Sequence, residues 1–359
     1  MGVLVAGRCL QGLGAGAVPA VAYVAIGRSL REAQRARMMA VLSTAWVVPG
    51  IVGPGLAAAV AHLFGWRWVF LGLIPLVLVA GPIAVPALVR LGRTDAPPAE
   101  EHRIADAVRT ALGTALVLGA LSAHHLLLGL GLAALGVIVG VAPLRRLLPP
   151  GTLRAARGLP ATILSRGLLT FAFFGADAYV TLTVTTVRGH STLVAGAVVT
   201  ASTLAWTAGS WVQARLSDRW EGARLVRTGL VLILLGTAGM AWQLRSGVPV
   251  VEAFIAWSAA GLGMGLSYAP ISLMMLRAAP RGREGWASAS LNLADVLGIA
   301  LGVGIGGAAV AAFTRHARPV GAGVLVAFAV AGTAAVVALA IARRLPGSLA
   351  RTVEAPTIR

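Results

Sequence analysis

Arg8, Asp177 and Asp295 are charged residues that lie inside long apolar stretches of this 359-residue chain. If such a stretch crosses a membrane, a carboxyl within it can take up a proton from one side and release it on the other, or it can hold a cationic ligand. A guanidinium at that depth can hold an anionic group or keep a neighbouring acid ionised. The three residues are therefore candidates for proton coupling. Structural roles are the alternative, namely hydrogen-bonded helix packing for the acids and extension to the interface for Arg8.

The position of Asp295 makes it the most central of these charges. It lies about nine residues into its predicted helix, roughly 14 Å at 1.5 Å per residue. Asn292 lies one turn earlier on the same face. Aromatic residues of other predicted helices could stack against aromatic or cationic compounds, although tryptophan in membrane proteins is commonly interfacial or core; these candidates for lining a substrate cavity are Trp46, Trp206, Trp257 and Tyr268.

The composition requires a membrane to position these residues. The chain is 58% hydrophobic and 12% charged, with a mean hydropathy of +0.85, whereas a soluble domain has about 25% charged residues. A membrane helix needs about 20 apolar residues. The sequence therefore predicts an all-α polytopic membrane protein with about eleven spans, the fourth and fifth of which are short enough to be re-entrant: 3–27, 38–62, 66–90, 106–122, 124–142, 160–187, 192–214, 225–244, 250–276, 286–313 and 320–342.

The basic residues indicate the orientation. All 30 are arginine. One set of alternating loops holds 24 of them, a set in which we include Arg166, and the opposite set holds 5. By the positive-inside rule the richer side, including the C-terminus, is cytoplasmic. Although the net charge is +18, this distribution between apolar spans does not resemble the continuous polar face of a nucleic-acid reader.

Several kinds of catalytic site are excluded by the residues themselves. The single Cys9 allows no internal disulfide and no cysteine metal cluster. The glycine-rich run 302–307 is not a phosphate loop, because no strand precedes it and the chain has no lysine. With no catalytic constellation evident, we expect neither an enzyme nor a cofactor or metal.

An internal repeat pairs residues 12–64 with 261–313 without a gap. Gly12 faces Gly261 in this alignment, and the glycines at 14 and 16 face those at 263 and 265. Secondary transporters build two halves from such repeats, although chance similarity of glycine-rich helices is the alternative. The repeat predicts that about ninety residues and three helices are missing before Met1, and that the spans within 106–142 are an inserted pair.

Three motifs resemble those of the major facilitator superfamily, in particular its fourteen-helix drug:proton antiporter branch. Residues 8–16 read R-C-L-Q-G-L-G-A-G, similar to the family pattern R-x-x-Q-G-x-G. Residues 49–58 read P-G-I-V-G-P-G-L-A-A, similar to g-x-x-x-G-P-x-x-G-G. Residues 214–219 read A-R-L-S-D-R, similar to G-x-L-a-D-R, but Glu221 and Gly222 depart from the usual ending.

The resemblance implies roles for individual residues. Arg8 would take part in proton transfer, within the motif that also contains Gln11 and Gly12. Gly53 and Pro54 would lie where the two halves pivot or seal, since proline removes a helical donor and small residues allow close packing; an ordinary kinked crossing is the alternative. In the loop motif, Asp218 and Arg219 would pair across the cytoplasmic ends of the helices and gate the carrier there. The alternative is that this pair has a structural role alone.

The resemblance also implies an architecture and an activity. We expect a two-half bundle, with the remainder of the N-terminal half at 1–92, an inserted helix pair and linkers at 93–150, a C-terminal six-helix half at 151–345 and a cytoplasmic tail at 346–359. The expected function is proton-coupled efflux of hydrophobic or cationic small molecules by a monomer in the plasma membrane, with lipid, substrate and protons as partners. The alternative is an N-terminally truncated, non-transporting remnant or partner subunit.

Overall fold

The computed structural model describes residues 63–90, 102–121, 123, 125–217 and 219–346, together with single positions and short runs between 7 and 60. Within this part of the chain the regular elements are helical and no β-strand occurs. The helices from residue 66 onward are α1 (Trp66–Leu71), α2 (Leu73–Arg90), α3 (Arg103–Leu121), α4 (Leu126–Leu147), α5 (Leu159–Leu182), α6 (Thr192–Leu216), α7 (Gly222–Trp242), α8 (Val251–Ala278), α9 (Glu284–Arg315) and α10 (Val320–Ile341).

The all-α polytopic fold is confirmed. Among the described residues, 9 stretches are long and apolar enough to cross a membrane, the first of them made by α1 and most of α2. They coincide with nine of the eleven predicted spans. The other two, 3–27 and 38–62, fall on residues that are described only in part.

The predicted inserted pair forms two complete helices. α3 has 19 residues and α4 has 22, lengths of about 30 Å that suffice to cross the hydrocarbon core. They pack tightly, since a Cβ added to Gly113 would lie 2.6 Å from the Cα of Gly140. The lengths favour two spans over a re-entrant pair. The pair also contacts α9, where the Ser290 hydroxyl donates to the Leu147 carbonyl at 3.0 Å.

Local sequence explains where the helices near the site begin and end. Pro160 lies in the first turn of α5, where its missing amide hydrogen costs nothing. The Ser191 side chain caps α6 by accepting from the Val194 amide at 3.3 Å. α5 continues into a π-helical turn, Thr183–Val187, a form that often occurs near functional sites.

Helices α5–α10 pack as two interlocked groups. α8 packs against α6 and α7, whereas α5 packs against α9 and α10. The groups are joined where α5 meets α8 and where α7 meets α10. Exchanging α5–α7 with α8–α10 therefore maps the contacts of α8 with α6 and α7 onto those of α5 with α9 and α10. The arrangement places α5 and α8 at the centre, where both contribute to a common interior.

Glycine allows α9 to lie directly against α5. A Cβ on Gly175 would lie 3.1 Å from the Cα of Gly302, and one on Gly302 would lie 2.6 Å from the Phe171 carbonyl oxygen. Membrane helices associate through such small residues because lipid provides no hydrophobic driving force between them. The close approach brings the polar residues of α9 within reach of those on α5.

Candidate functional site

A buried ion pair links α5 to α9. The Arg166 Nε lies 3.2 Å from the Asp295 Oδ1. The Arg166 side chain is fully buried and that of Asp295 is 12% exposed. Two opposite charges can be retained away from water only when each is compensated by the other and by hydrogen bonds. The pair is therefore expected to be sensitive to any loss of charge.

Helix α8 completes the surroundings of the Arg166 guanidinium. One terminal nitrogen donates to the Tyr268 carbonyl oxygen at 2.7 Å, and the other donates to the Ser272 hydroxyl at 2.9 Å. The guanidinium carbon also lies 3.3 Å from the centroid of the Tyr268 ring, a cation–π contact. Arg166 is thus bound to α8 by contacts that do not involve Asp295.

Asp295 has two further ties to its neighbours. The Tyr268 hydroxyl donates to its Oδ2 at 2.7 Å. The Thr170 hydroxyl lies 3.2 Å from the backbone oxygen of Asp295. The same hydroxyl is also within hydrogen-bonding distance of two carbonyl oxygens of α5. We call Arg166, Thr170, Tyr268, Ser272 and Asp295 the ion-pair cluster. This cluster joins α5, α8 and α9 in the interior of the helix bundle.

Five aromatic rings extend from this cluster through the interior, and we call them the aromatic cluster: Phe173, Phe174, Trp206, Trp257 and Tyr268. Phe173 stacks on Trp257 with ring centroids 5.2 Å apart and planes 15° from parallel. Trp206 lies 5.6 Å from both Phe173 and Tyr268. The rings of α5, α6 and α8 therefore form one continuous contact.

Asp177 lies at the far end of the aromatic cluster. The Trp257 indole nitrogen donates to its Oδ1 at 2.9 Å. Trp257 is completely buried, whereas Asp177 is partly exposed. The carboxylate therefore has one fixed indole donor, at the end of the aromatic cluster, and Asp177 is not completely enclosed.

The contacts at the two ends of this interior have the same spacing on α5 and on α8. Arg166 and Asp177 are eleven residues apart on α5, and Trp257 and Tyr268 are eleven apart on α8. Eleven residues make about three turns, so each pair lies on one helix face, separated by roughly 16 Å. α5 and α8 pair in opposite directions along these faces. The interior of the helix bundle thus has the Arg166–Asp295 ion pair at one end and the Asp177 carboxylate, hydrogen-bonded to Trp257, at the other.

The structure brings together five of the predicted residues: Asp177 with Trp257, Tyr268 with Asp295, and Trp206 against the Tyr268 ring. The side-chain amide of Asn292 donates to the Gly16 carbonyl oxygen at 2.9 Å, which ties α9 to the N-terminal part of the chain. The role of Asn292 in lining a substrate cavity stays a prediction.

The motif residues are described less completely. Gln11, Gly12 and Gly53 occupy helical positions, and Arg219 is exposed in the turn after α6. The remaining predicted residues lie outside the described part of the chain: Arg8, Trp46, Pro54 and Asp218. The proposed roles of the motifs stay predictions.

The assignment of Arg166 to a cytoplasmic loop was wrong. It lies inside α5, in a helix that begins at Leu159, and it is the partner of Asp295. Its position within the predicted span 160–187 was the signal that could have found it. Sequence reasoning also missed Phe173, which shares the Arg166 face of α5 at a spacing of seven residues, and Ser272, which has no distinguishing pattern.

Metal-binding clusters are absent from the described residues, where no group of three or more histidine, cysteine, aspartate or glutamate side chains could hold an ion. The polar groups of the interior are instead a cation, two acids, hydroxyls and an indole. This chemistry suits proton binding and the binding of organic cations.

Comparison with known proteins gives consistent matches. The sequence profile of the Major Facilitator Superfamily matches residues 1–303. A probable multidrug-efflux transporter of Mycobacterium tuberculosis is 27% identical over 380 aligned residues, which cover 96% of this chain and 77% of the relative. The methylenomycin A resistance protein of Bacillus subtilis is 24% identical over 85% of this chain and 67% of its own length. An uncharacterized transporter of Escherichia coli is 27% identical over 84% of this chain and 68% of its own length.

Proposed function

The chain belongs to the major facilitator superfamily, and from that membership we propose that it exports hydrophobic or cationic small molecules in exchange for protons. Relatives that span most of the chain are named for multidrug efflux and for methylenomycin A resistance, which supports export over the non-transporting alternative. The match to a transporter family likewise favours a carrier over an enzyme. We place this carrier in the plasma membrane as a monomer with its C-terminus in the cytoplasm.

The observation that carries the proposal is the buried pair of Arg166 and Asp295. When Asp295 binds a proton, the charge attraction between α5 and α9 is lost. Arg166 keeps its contacts with the Tyr268 carbonyl and the Ser272 hydroxyl, and both belong to α8. Protonation therefore weakens the attachment of α9 to α5 and α8 while α5 and α8 stay joined.

This selective loosening provides a physical link between a proton and a helix movement. A transporter alternates between two accessible states, and a ligand shifts that equilibrium only by interacting differently with the two. The ion pair lets the proton interact differently with the two states, because a neutral carboxyl cannot compensate the charge of the buried guanidinium. We assign proton coupling to Asp295, with Arg166 as its counter-ion.

The opposite end of the interior is proposed to recognise substrate. Asp177 offers a negative charge and the aromatic cluster offers ring faces, the combination that binds organic cations. The indole hydrogen bond from Trp257 holds the carboxylate in place. Hydrophobic substrates would use the rings, and cationic ones would also use the carboxylate.

Residues of the motifs complete the proposal. We propose that Arg8, with Gln11 and Gly12, contributes to proton transfer, that Gly53 and Pro54 form the seam between the halves, and that Asp218 with Arg219 gates the cytoplasmic side. Asn292, Trp46 and Tyr268 are proposed to border the cavity. The halves are proposed at 1–92 and 151–345, with the pair at 93–150 inserted between them and a tail at 346–359.

The test is transport by the purified full chain in proteoliposomes. When the lumen of the vesicles is acidic, we expect uptake of tetraphenylphosphonium, and this uptake should stop when an ionophore collapses the pH gradient. Asp295→Asn should abolish gradient-driven uptake while still binding the cation. Glu252→Gln, an exposed acid in the first turn of α8, is the matched control and should transport like the wild type.

Two results would contradict the proposal. Uptake by the wild type that equals that of protein-free vesicles would argue against transport of this cation. Uptake that persists unchanged in Asp295→Asn, with the same dependence on the gradient, would remove Asp295 from proton coupling.

A further inference from the structure

A cleft of about 280 Å³ lies in the linker between α4 and α5, away from the helix interior. Its lining includes two cationic side chains, two prolines and two leucines: Arg145, Leu148, Pro149, Pro150, Leu153 and Arg154. Both arginines are exposed. The cleft therefore combines positive charge with apolar surface at the end of a membrane-spanning helix.

The two adjacent arginines at the end of α4 have different neighbours. The Arg146 guanidinium lies 3.6 Å from the Asp106 carboxylate, whereas Arg145 lines the cleft. The chain contains no acidic residue between Asp106 and Asp177. The linker thus brings Arg145 and Arg154 together without an acid of its own to neutralise them.

Several contacts fix the linker in this shape. The Thr152 hydroxyl donates to the Pro149 carbonyl at 2.6 Å. The Arg344 guanidinium, at the end of α10, donates to the carbonyls of Arg154 and Ala155, both at 3.1 Å. Gly151 has a φ of 86°, a left-handed conformation that favours glycine. The two arginines are consequently presented by a fixed backbone, which lowers the entropic cost of binding a ligand.

The apolar part of the cleft distinguishes an amphipathic ligand from a simple anion. Leu153 is 48% exposed beside Arg154, and Leu148 is buried below it. The cleft begins directly after α4, which is long enough to cross the hydrocarbon core, so we expect the cleft to lie at the level of the phospholipid headgroups. It also lies on the side that the arginine distribution predicts to be cytoplasmic, where the leaflet carries anionic lipids.

We propose that this cleft binds the headgroup of an anionic phospholipid, with Arg145 and Arg154 holding the phosphodiester and Leu153 contacting the glycerol and upper acyl chains. Arginine suits this role because its planar fork makes paired hydrogen bonds to phosphate oxygens. The site joins the helix pair α3–α4 to α5, so the lipid would bridge these two parts of the carrier. The proposal requires a membrane but does not depend on what is transported.

The experiment is native mass spectrometry of the purified full chain in detergent with added phosphatidylglycerol. Each removed arginine should weaken binding about fivefold, since a basic residue near an anionic leaflet contributes roughly that factor. The double variant Arg145→Gln/Arg154→Gln should therefore bind more than tenfold more weakly. Arg157→Gln, an exposed arginine of the same linker that does not line the cleft, should bind like the wild type.

Further arms separate the explanations. Arg145→Lys/Arg154→Lys should recover part of the binding, because lysine keeps the charge but not the paired hydrogen bonds, and phosphatidylcholine should bind weakly to every variant. Unfolding temperatures of all variants close to that of the wild type would exclude loss of fold as the cause. Equal binding by the double glutamine variant, an equal loss in Arg157→Gln, or displacement of the lipid by millimolar inorganic phosphate would overturn the proposal.

Discussion

The guanidinium carbon of Arg166 lies 3.3 Å from the centroid of the Tyr268 ring. The hydroxyl of the same ring donates to Asp295, the ion-pair partner of Arg166. Tyr268 therefore contacts both charges, one through its face and the other through its edge. The hydroxyl can be removed while the ring face is kept.

Tyr268→Phe removes the hydroxyl and keeps the ring. We expect a loss of about 1 kcal/mol in the free energy of unfolding, the usual contribution of one hydrogen bond. Tyr268→Ala also removes the cation–π contact and creates a cavity, and should cost about 3–5 kcal/mol. Thermal unfolding in detergent measures both. Equal losses in the two variants would show that the ring face contributes nothing to holding Arg166.

The ion pair itself is testable with two single variants and their double. Arg166→Met or Asp295→Leu alone leaves one buried charge uncompensated, so each should destabilise by about 3–5 kcal/mol. The double variant removes both charges and should be considerably more stable than either single variant.

Comparison of the two single variants with the double variant should also separate an effect on folding from an effect on transport. The double variant should remain folded and still fail to couple tetraphenylphosphonium uptake to a pH gradient, because no carboxyl is present to carry the proton. Additive losses in the double variant would contradict an interaction between the two residues. Gradient-driven uptake by the folded double variant would exclude the pair from coupling.

The fold was largely predictable, and the site only in part. Apolar run length is a property of the chain alone, so nine predicted spans coincide with helices in the part of the chain that the structure describes. The acids Asp177 and Asp295 were found because charges within apolar runs are rare. Arg166 was missed as a partner because helix packing, and not local sequence, brings it to Asp295. The ring of Phe173 was missed for the same reason, since its stacking on Trp257 joins residues of different helices.

Asp177→Asn should separate cationic from neutral substrates. The substitution keeps the shape of the side chain and removes its charge, so the KM for tetraphenylphosphonium should rise about tenfold or more. An uncharged hydrophobic substrate provides the internal control, because its KM should stay within about twofold. Equal effects on both substrates would indicate a general structural defect and would remove Asp177 from cation recognition.

Gly302→Val tests the close approach of α5 and α9. The added side chain would meet the Phe171 carbonyl and the Gly175 Cα, so we expect a destabilisation of about 1–3 kcal/mol from overpacking. Gly196→Val is the matched control, because a Cβ there would meet no described atom within 4 Å. If the two variants unfold at the same temperature, the packing of α5 on α9 is looser than the structure indicates.

Arg188→Ala tests a clamp at the other end of α5 from Arg166. The Arg188 guanidinium donates to the Arg245 carbonyl at 2.6 Å and to the Val248 carbonyl at 2.5 Å, and these carbonyls belong to the α7–α8 connection. Hydrogen bonds from a charged donor contribute about 1.5–3 kcal/mol. We expect faster amide exchange at residues 243–250 and a loss of about 1.5–3 kcal/mol in the free energy of unfolding. Arg245→Ala is the control, because it removes a side chain but keeps the carbonyl that Arg188 binds; equal exchange rates in the two variants would show that the clamp does not hold this connection.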